Sequence, residues 1–358
     1  MAVAPSSSSE PGGGRFLAEI REQPRALLSL LEHDEEFARA AALMRERPAP
    51  LVRMVGHGSS DNAASYGVYA FGLLPRWTAL RDSITLTVYF RSGPDLSGST
   101  VVALSQSGRT PDVVEYVERA RAAGALTIAI TNDPASELAG RSDVVLPLAA
   151  GEERAVAATK TYVNQLAALG LLAAHAAGRG AEFAGQLRTA AGLLGPLVER
   201  LETRIPELAL PFAFVGRMFV IGRGPEFATA REIALKLLET CRIAAEPLTA
   251  TDLAHGPVAA LDPHFPVWTI ASEDEALPAV LEAAKRARAA GASLVASGSA
   301  ADRVEGAEFV IPLPSAPSPL IAPLLSVVPG QLFAWAVARA KGLDPDRPNG
   351  LQKVTLAR

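Results

Sequence analysis

The sequence predicts an α/β protein built from two copies of one unit, each an open, mainly parallel sheet with helices on both faces. Three observations carry that prediction. The chain has 358 residues, too many for one ordinary core and suited to two domains of about 100–200 residues each. Short β-branched runs alternate with helical stretches, the pattern of buried parallel strands joined by right-handed helical crossovers. Landmarks also recur at one spacing. The heptapeptide RARAAGA stands at Arg119–Ala125 and again at Arg286–Ala292, and an apolar run ends in Gly-x-Gly at both Gly56 and Gly222. Two landmarks offset by 167 and 166 residues point to an internal duplication.

Taken in order, residues 1–14 are rich in Ser, Pro and Gly, with no apolar stretch and no early Lys or Arg. They read as a frayed tail and not as a secretion signal. Residues 16–44 read as a leading helical hairpin broken at Pro24. The first unit's strands follow as LVRMV, TVVALS, LTIAIT and DVVLPL, and the second's as MFVIG, VWTIA, SLVAS and EFVIP. Gly124 and Gly291 stand where a helix C-cap needs them, each just before a strand. Residues 177–205, between the units, read as helix. The expected division is a tail over 1–14, a first unit over 15–190, a second over 191–345, and a C-terminal tail over 346–358 carrying Lys353.

Hydrophobic residues make up 49% and charged residues 20% of the chain, which excludes a disordered or collagen-like protein. The 34 basic and 38 acidic residues leave a net charge of −4, so no global field draws in nucleic acid or an anionic membrane. An anionic ligand has to be caught locally. The most apolar helical stretch, residues 166–177, is too short to span a bilayer. The single Cys241 cannot form an internal disulfide, which fits a reducing, cytoplasmic setting, and it reads as a small core hydrophobe. GHGSSD and GRGPEF lack the third glycine of a dinucleotide fingerprint, and no Walker Lys-Ser pair follows. His33, His57, His175, His255 and His264 show no zinc spacing, and no serine sits in a Gly-x-Ser-x-Gly elbow. No metal or cofactor is expected.

In open parallel sheets, ligands bind beyond the carboxyl ends of the strands. After TVVAL the chain runs Ser105-Gln106-Ser107-Gly108-Arg109-Thr110 and enters a helix at Pro111. Gly108 permits a tight turn, backbone N–H groups are free at the helix start, and Ser105, Ser107 and Thr110 add hydroxyls, which together make an anion cradle. Ser59 and Ser60, after Gly58, end the neighbouring strand in the same style. Such residues also serve as plain caps and turn formers; two such loops at adjacent strand ends favour phosphate. At an offset of 167, Ser105 corresponds to Ser272, followed by Glu273, Asp274 and Glu275, whose charges repel a phosphate. One phosphate site per chain is expected, in the first unit.

SQSGRT, the following ITND, the helix start VAATK, the helix EIALKLLE and the turn LAHGP together resemble the double sugar-isomerase (SIS) domain family. That family includes the isomerase half of glucosamine-6-phosphate synthase and stand-alone phosphosugar deaminases and isomerases. The likeness runs from Glu19 to the C-terminus. It implies two flavodoxin-like SIS domains, a homodimer, and a phosphorylated amino sugar or hexose 6-phosphate as ligand. It implies phosphate contacts from Ser105, Gln106, Ser107 and Thr110, and sugar contacts from Ser59, Ser60 and Val156. Glu239 matches the proton-transfer carboxylate, flanked by Glu232 and Lys236. His255 matches the ring-opening residue that reaches the partner subunit's site, and Lys353 the lysine that can form a Schiff base with a ketose. Read without the likeness, Glu239 is half of an ion pair with Lys236, three residues earlier. His255 is then a turn residue, Lys353 a solvated tail charge, and Arg109 either a phosphate contact or a solvated cap.

The implied chemistry asks for these residue types. Aldose–ketose interconversion moves a proton between carbons 1 and 2 through an enediol or enolamine, work for one carboxylate whose pKa burial raises. Ring opening near neutrality suits His, and a phosphate held away from the reacting carbons supplies orientation. The sequence also departs from the synthase. Arg109 replaces the acidic residue of SQSGET, the tail reads PNGLQKVT, and position 2 is Ala, so no glutaminase domain is expected ahead of the first unit. The leading expectation is an isomerase/deaminase without glutaminase activity, converting glucosamine 6-phosphate and water to fructose 6-phosphate and ammonia. The alternatives are a fructosamine-6-phosphate deglycase and a non-catalytic phosphosugar-binding regulator, since fold does not settle function.

Overall fold

The structure, a computed structural model, describes residues 12–353; most of the expected N-terminal tail, and residues 354–358, lie outside the described residues. Three helices open the chain: α1 (Gly14–Arg21), α2 (Gln23–Leu31) and α3 (Asp34–Arg45). The expected hairpin with one break at Pro24 is therefore three helices, separated at Glu22 and at Glu32-His33. Pro24 lies in the first turn of α2, where its missing N–H is not needed, so the expected break falls just ahead of it, at Glu22, and the one at Glu32-His33 is additional. The start of α1 is fastened from the other end of the chain. The Asp346 carboxylate accepts from the N–H groups of Gly13, Arg15 and Phe16 at 3.1, 3.2 and 2.7 Å, which satisfies donors the helix itself leaves unpaired.

The first sheet unit comprises β1 (Leu51–Val55), α4 (Ser59–Leu73), β2 (Thr78–Arg81), β3 (Thr100–Ser105), α5 (Pro111–Ala122), β4 (Leu126–Thr131), α6 (Glu137–Arg141), β5 (Val144–Pro147) and α7 (Lys160–Ala176). The long α8 (Gly180–Ala209) leads to the second. That unit comprises β6 (Arg217–Gly222), α9 (Glu226–Cys241), β7 (Ala244–Thr249), β8 (Pro266–Ile270), α10 (Leu277–Ala289), β9 (Ser293–Gly298), β10 (Phe309–Pro312) and α11 (Ala322–Ala340). Every pairing is parallel, in the order β2-β1-β3-β4-β5 and its repeat β7-β6-β8-β9-β10. Both sheets thus have the flavodoxin-like order, with a topological switch point beside the unit's first strand.

The edge strands β2 and β7 escape the sequence pattern. TALR and AAEPLT lack the apolar runs of the inner strands and are only partly covered, whereas the opposite edge strands β5 and β10 keep the short apolar runs VVLP and FVIP. β7 even carries Pro247, which an edge tolerates. The offset between copies is 166 at the starts of β3 and β8 (Thr100, Pro266) and of α5 and α10 (Pro111, Leu277), and is 167 from Arg119 and Arg286, inside those helices, through the starts of β4 and β9 (Leu126, Ser293). The counterpart of Ser105 is therefore Ala271 and not Ser272. Glu273, Asp274 and Glu275 take the places of Ser107, Gly108 and Arg109.

One apolar core runs through both copies. α9 packs on both α4 and α11, and α8 packs on α2 and α11; residues 190 and 191, the expected boundary, are neighbours inside α8. Tyr66 of α4 donates to the carbonyl of Leu320 at 2.9 Å, and Tyr162 of α7 to that of Ala228 at 3.1 Å. This exchange places the end of α9 over the loops of the first sheet and the end of α4 over those of the second. Among the described residues, no helix is long and apolar enough to cross a membrane.

Candidate active site

The switch point of the first sheet lies between β1 and β3, whose following loops open into a pocket of about 470 Å³. Gly58 and Gly108 both adopt positive φ, +56° and +62°, the left-handed region open to glycine at little cost. A Cβ at Gly108 would also collide with the Ser136 side chain, so the tight turn of the cradle requires glycine. Ser105 Oγ accepts from the Gly108 N–H at 3.1 Å, and Ser107 Oγ from that of Arg109 at 3.3 Å. Thr110 Oγ1 lies 3.4 Å from Ser105 Oγ. Ser105, Gln106, Ser107 and Thr110 all line the pocket, as do Ser59, Ser60 and Val156.

The second unit supplies the charged wall. Lys236 and Glu239, on the last turns of α9, line the same pocket. The Lys236 side chain is 1% exposed and Nζ donates to Glu239 Oε2 at 2.6 Å, with Ser59 Oγ and Glu232 Oε1 both at 3.3 Å. Glu232, wholly buried, accepts from Ser59 Oγ at 2.9 Å and Asn62 Nδ2 at 2.8 Å. Burial holds the Glu232 carboxyl above its usual range despite Lys236. For Lys236 burial acts downward, but the two carboxylates outweigh it and hold the ammonium well above the ordinary lysine value. The ion pair read from the i,i+3 spacing therefore exists, and it is part of the pocket wall and not of a solvated face.

Lys353 reaches the pocket from the C-terminal segment, and its Nζ donates to Glu153 Oε2 at 2.8 Å. Glu153 is buried and also accepts from the Thr159 N–H, the Thr161 N–H and Thr161 Oγ1 at 3.0, 3.1 and 2.7 Å. Burial pushes its carboxyl up, yet Lys353 and these donors bring it below the usual value. A terminal lysine is thus held in place and not left in solvent.

Two other residues fall outside the pocket. Arg109 turns away, its Nη2 lying 3.3 Å from Asp133 Oδ2 on the surface. His255 ends a short 3-10 turn, is exposed, and does not line the pocket of its own chain. Cys241 is a core residue, its Sγ donating to the carbonyl of Ala334 at 3.1 Å.

Sequence reasoning missed several pocket residues. His57 Nε2 lies 2.9 Å from Asp112 Oδ2, and Gln165 Nε2 donates to Ser60 Oγ at 2.9 Å. His57 was legible as the neighbour of the Gly58-Ser59-Ser60 loop. Asp112 was legible as the first-turn residue directly after the cradle, whereas Gln165 of the pocket and Glu153, which holds Lys353 behind it, had no local mark, since only the fold brings them to that point. In the second unit, Glu226 stands where the first has Ser60. Its buried carboxylate accepts from Ser272, Ser326 and Thr229 hydroxyls at 2.6, 2.7 and 2.7 Å, and burial holds it above the usual carboxylate range. The second switch point carries its own built-in anion.

Together these groups offer hydroxyl and amide donors for an anion, a carboxylate with a cation behind it for proton transfer, and a lysine amine at the opposite side. A family model for the SIS domain matches residues 49–175 and 212–338. The chain is 36% identical over 365 residues to a glutamine–fructose-6-phosphate aminotransferase (isomerizing) of Aeropyrum pernix, a match covering 98% of this chain and 58% of that protein. To its namesake in Leifsonia xyli it is 35% identical over 374 residues, covering 97% and 60%. The chain therefore spans less than two thirds of the length of these relatives. The C-terminal domain of glucosamine-fructose-6-phosphate aminotransferase from Francisella tularensis superposes with a TM-score of 0.86 at 27% identity, over 96% of this chain and 100% of that one. With one matched segment on each sheet and the likeness extending end to end, the chain belongs to the SIS domain family and carries two such domains in tandem.

Proposed function

We propose that the protein is a phosphosugar isomerase acting on an amino-sugar phosphate and releasing its nitrogen: glucosamine 6-phosphate and water give fructose 6-phosphate and ammonia. The observation that carries this reading is the meeting, in one pocket, of the serine-threonine cradle with the Glu239–Lys236 pair and Lys353. The cradle takes the phosphate. Glu239 removes the proton from carbon 2 of the opened sugar and returns it to carbon 1, while a proton passes from the nitrogen to the carbon 1 oxygen, leaving a hydroxymethyl group at carbon 1 and an imine at carbon 2. Water adds there, the carbon–nitrogen bond breaks and ammonia departs with the proton. Lys353 is placed to hold the ketose end. His255, exposed and outside its own chain's pocket, is assigned to ring opening in the partner subunit of a homodimer.

The names of the relatives matched along this chain support the reading, since they carry fructose 6-phosphate.

The protein incubated with glucosamine 6-phosphate is expected to form ammonia and fructose 6-phosphate in equal amounts, followed by coupled assays. Silence there with turnover of fructoselysine 6-phosphate replaces the reading by a deglycase, and binding of both without turnover by a regulator. Ser107→Ala with Thr110→Ala is expected to weaken phosphosugar binding at least tenfold, since a hydrogen bond to a charged group contributes roughly 1.5–3 kcal/mol. Calorimetric titration with glucose 6-phosphate measures it, and unchanged affinity removes the cradle from the site.

A further inference from the structure

A cavity of about 630 Å³, larger than the candidate active site, opens at the switch point of the second sheet. It is the internal duplicate of that site. Gly224 and Pro225 after β6 stand in place of Gly58 and Ser59, and Asp274, Glu275 and Ala276 after β8 in place of the end of the cradle. The end of α4 closes it as the end of α9 closes the first, so that Leu73 occupies the place of Glu239. The space has survived the duplication while its chemistry has reversed. The anion seat is filled by the chain's own Glu226, and the proton-transfer position is a leucine.

The remaining wall defines a ligand. Tyr69, Leu73, Phe183 and Leu320 give an apolar surface. Among the described residues Arg179 is the sole basic one lining the cavity, and it is spent on Glu182 through two hydrogen bonds of 2.8 and 2.6 Å. Asp274 and Glu275 are left as a surplus of negative charge at the mouth. Asp274 Oδ1 accepts the Ala276 N–H, at 2.8 Å. Burial, and after it the neighbouring Glu275, hold the Asp274 carboxyl above its usual range, a situation that a nearby cation relieves. The volume lies within that of small-molecule sites, which combine apolar walls with a few placed polar groups.

We infer that this cavity is a second ligand site, taking a small organic ammonium whose apolar body lies against Leu73 and Phe183 and whose charge faces Asp274 and Glu275. The site is independent of the proposed reaction, and its test reads binding and not turnover. Benzylamine, benzyl alcohol and benzoate share one ring and differ in charge, and fragments of this size bind in the millimolar range. Ligand-observed NMR titrations of the full chain at neutral pH are expected to show benzylamine binding at least threefold more tightly than benzyl alcohol, with benzoate weakest. Asp274→Asn with Glu275→Gln is expected to erase the preference of amine over alcohol. Leu73→Trp, at a half-exposed position that accepts bulk, is expected to exclude all three while glucose 6-phosphate binding stays unchanged. Equal binding of the three probes, absence of binding, or an amine preference that survives the double substitution overturns the inference.

Discussion

Glu239→Gln is expected to lower kcat on glucosamine 6-phosphate by about 10²–10⁴-fold, the usual contribution of a positioned general acid–base, while phosphosugar affinity stays within about threefold. The amide keeps an oxygen to accept from Lys236 Nζ, which lies 2.6 Å from Glu239 Oε2, so the wall of the pocket is retained and only the exchangeable proton is lost. The phosphate contacts come from another sheet loop and are untouched. Steady-state kinetics and a direct binding titration separate the two quantities. A variant with near-normal kcat removes Glu239 from proton transfer, and a variant that no longer binds shows a structural role instead. Mixing the Glu239→Gln and His255→Asn chains adds a check on the dimer. Each is inactive alone, and mixed dimers recover activity if His255 serves the partner's pocket.

Lys236→Met is expected to destabilise the protein by about 3–5 kcal/mol, the range found when one partner of a buried ion pair is removed. Glu232 is wholly buried beside it, and Met fills similar space without a charge. The loss depends on pH. Glu232 already has a carboxyl raised from 4.5 by burial, with Lys236 pulling the other way, so removing Lys236 raises it further. A carboxyl raised on folding contributes stability that is present below its unfolded pKa and is lost as pH rises through the folded value. The deficit of Lys236→Met relative to the parent is therefore larger at pH 8 than at pH 5. Urea titrations at the two pH values measure it as a fall in midpoint at constant slope. Adding Glu232→Gln should restore most of the stability, because it removes the uncompensated charge. Equal deficits at both pH values, or no recovery in the double variant, contradict this account.

How much was legible follows from the kind of information each feature needs. The inner strands are continuous apolar runs because both their faces are covered, so TVVALS and SLVAS announce themselves. The edge strands TALR and AAEPLT do not, since both are half-covered and their sequences lack a continuous apolar run, unlike the edge strands VVLP and FVIP. Pro24 marked the break between α1 and α2, since a proline is accommodated in a first turn and not inside a helix, whereas the second break, at Glu32-His33, carries neither proline nor glycine. The one-residue slip in matching Ser105 arose because the copies change offset within α5 and α10, between Pro111 and Arg119, ahead of the heptapeptide whose spacing was used for the match.

The sequence by itself determined the duplicated parallel architecture, the glycine-dependent cradle at Ser105–Thr110 and the candidacy of Glu239 and Lys353. These are local patterns, or likeness spread along the whole chain. Only the tertiary structure decided that Lys236 is buried between two carboxylates, that Glu153 holds Lys353, that Arg109 leaves the pocket, and that Glu226 fills the second anion seat. The physical reason is distance along the chain: Glu153 and Lys353 are 200 residues apart. Ion pairing and burial depend on which side chains a fold brings within a few ångströms, and that is set when the two copies exchange helices over each other's loops.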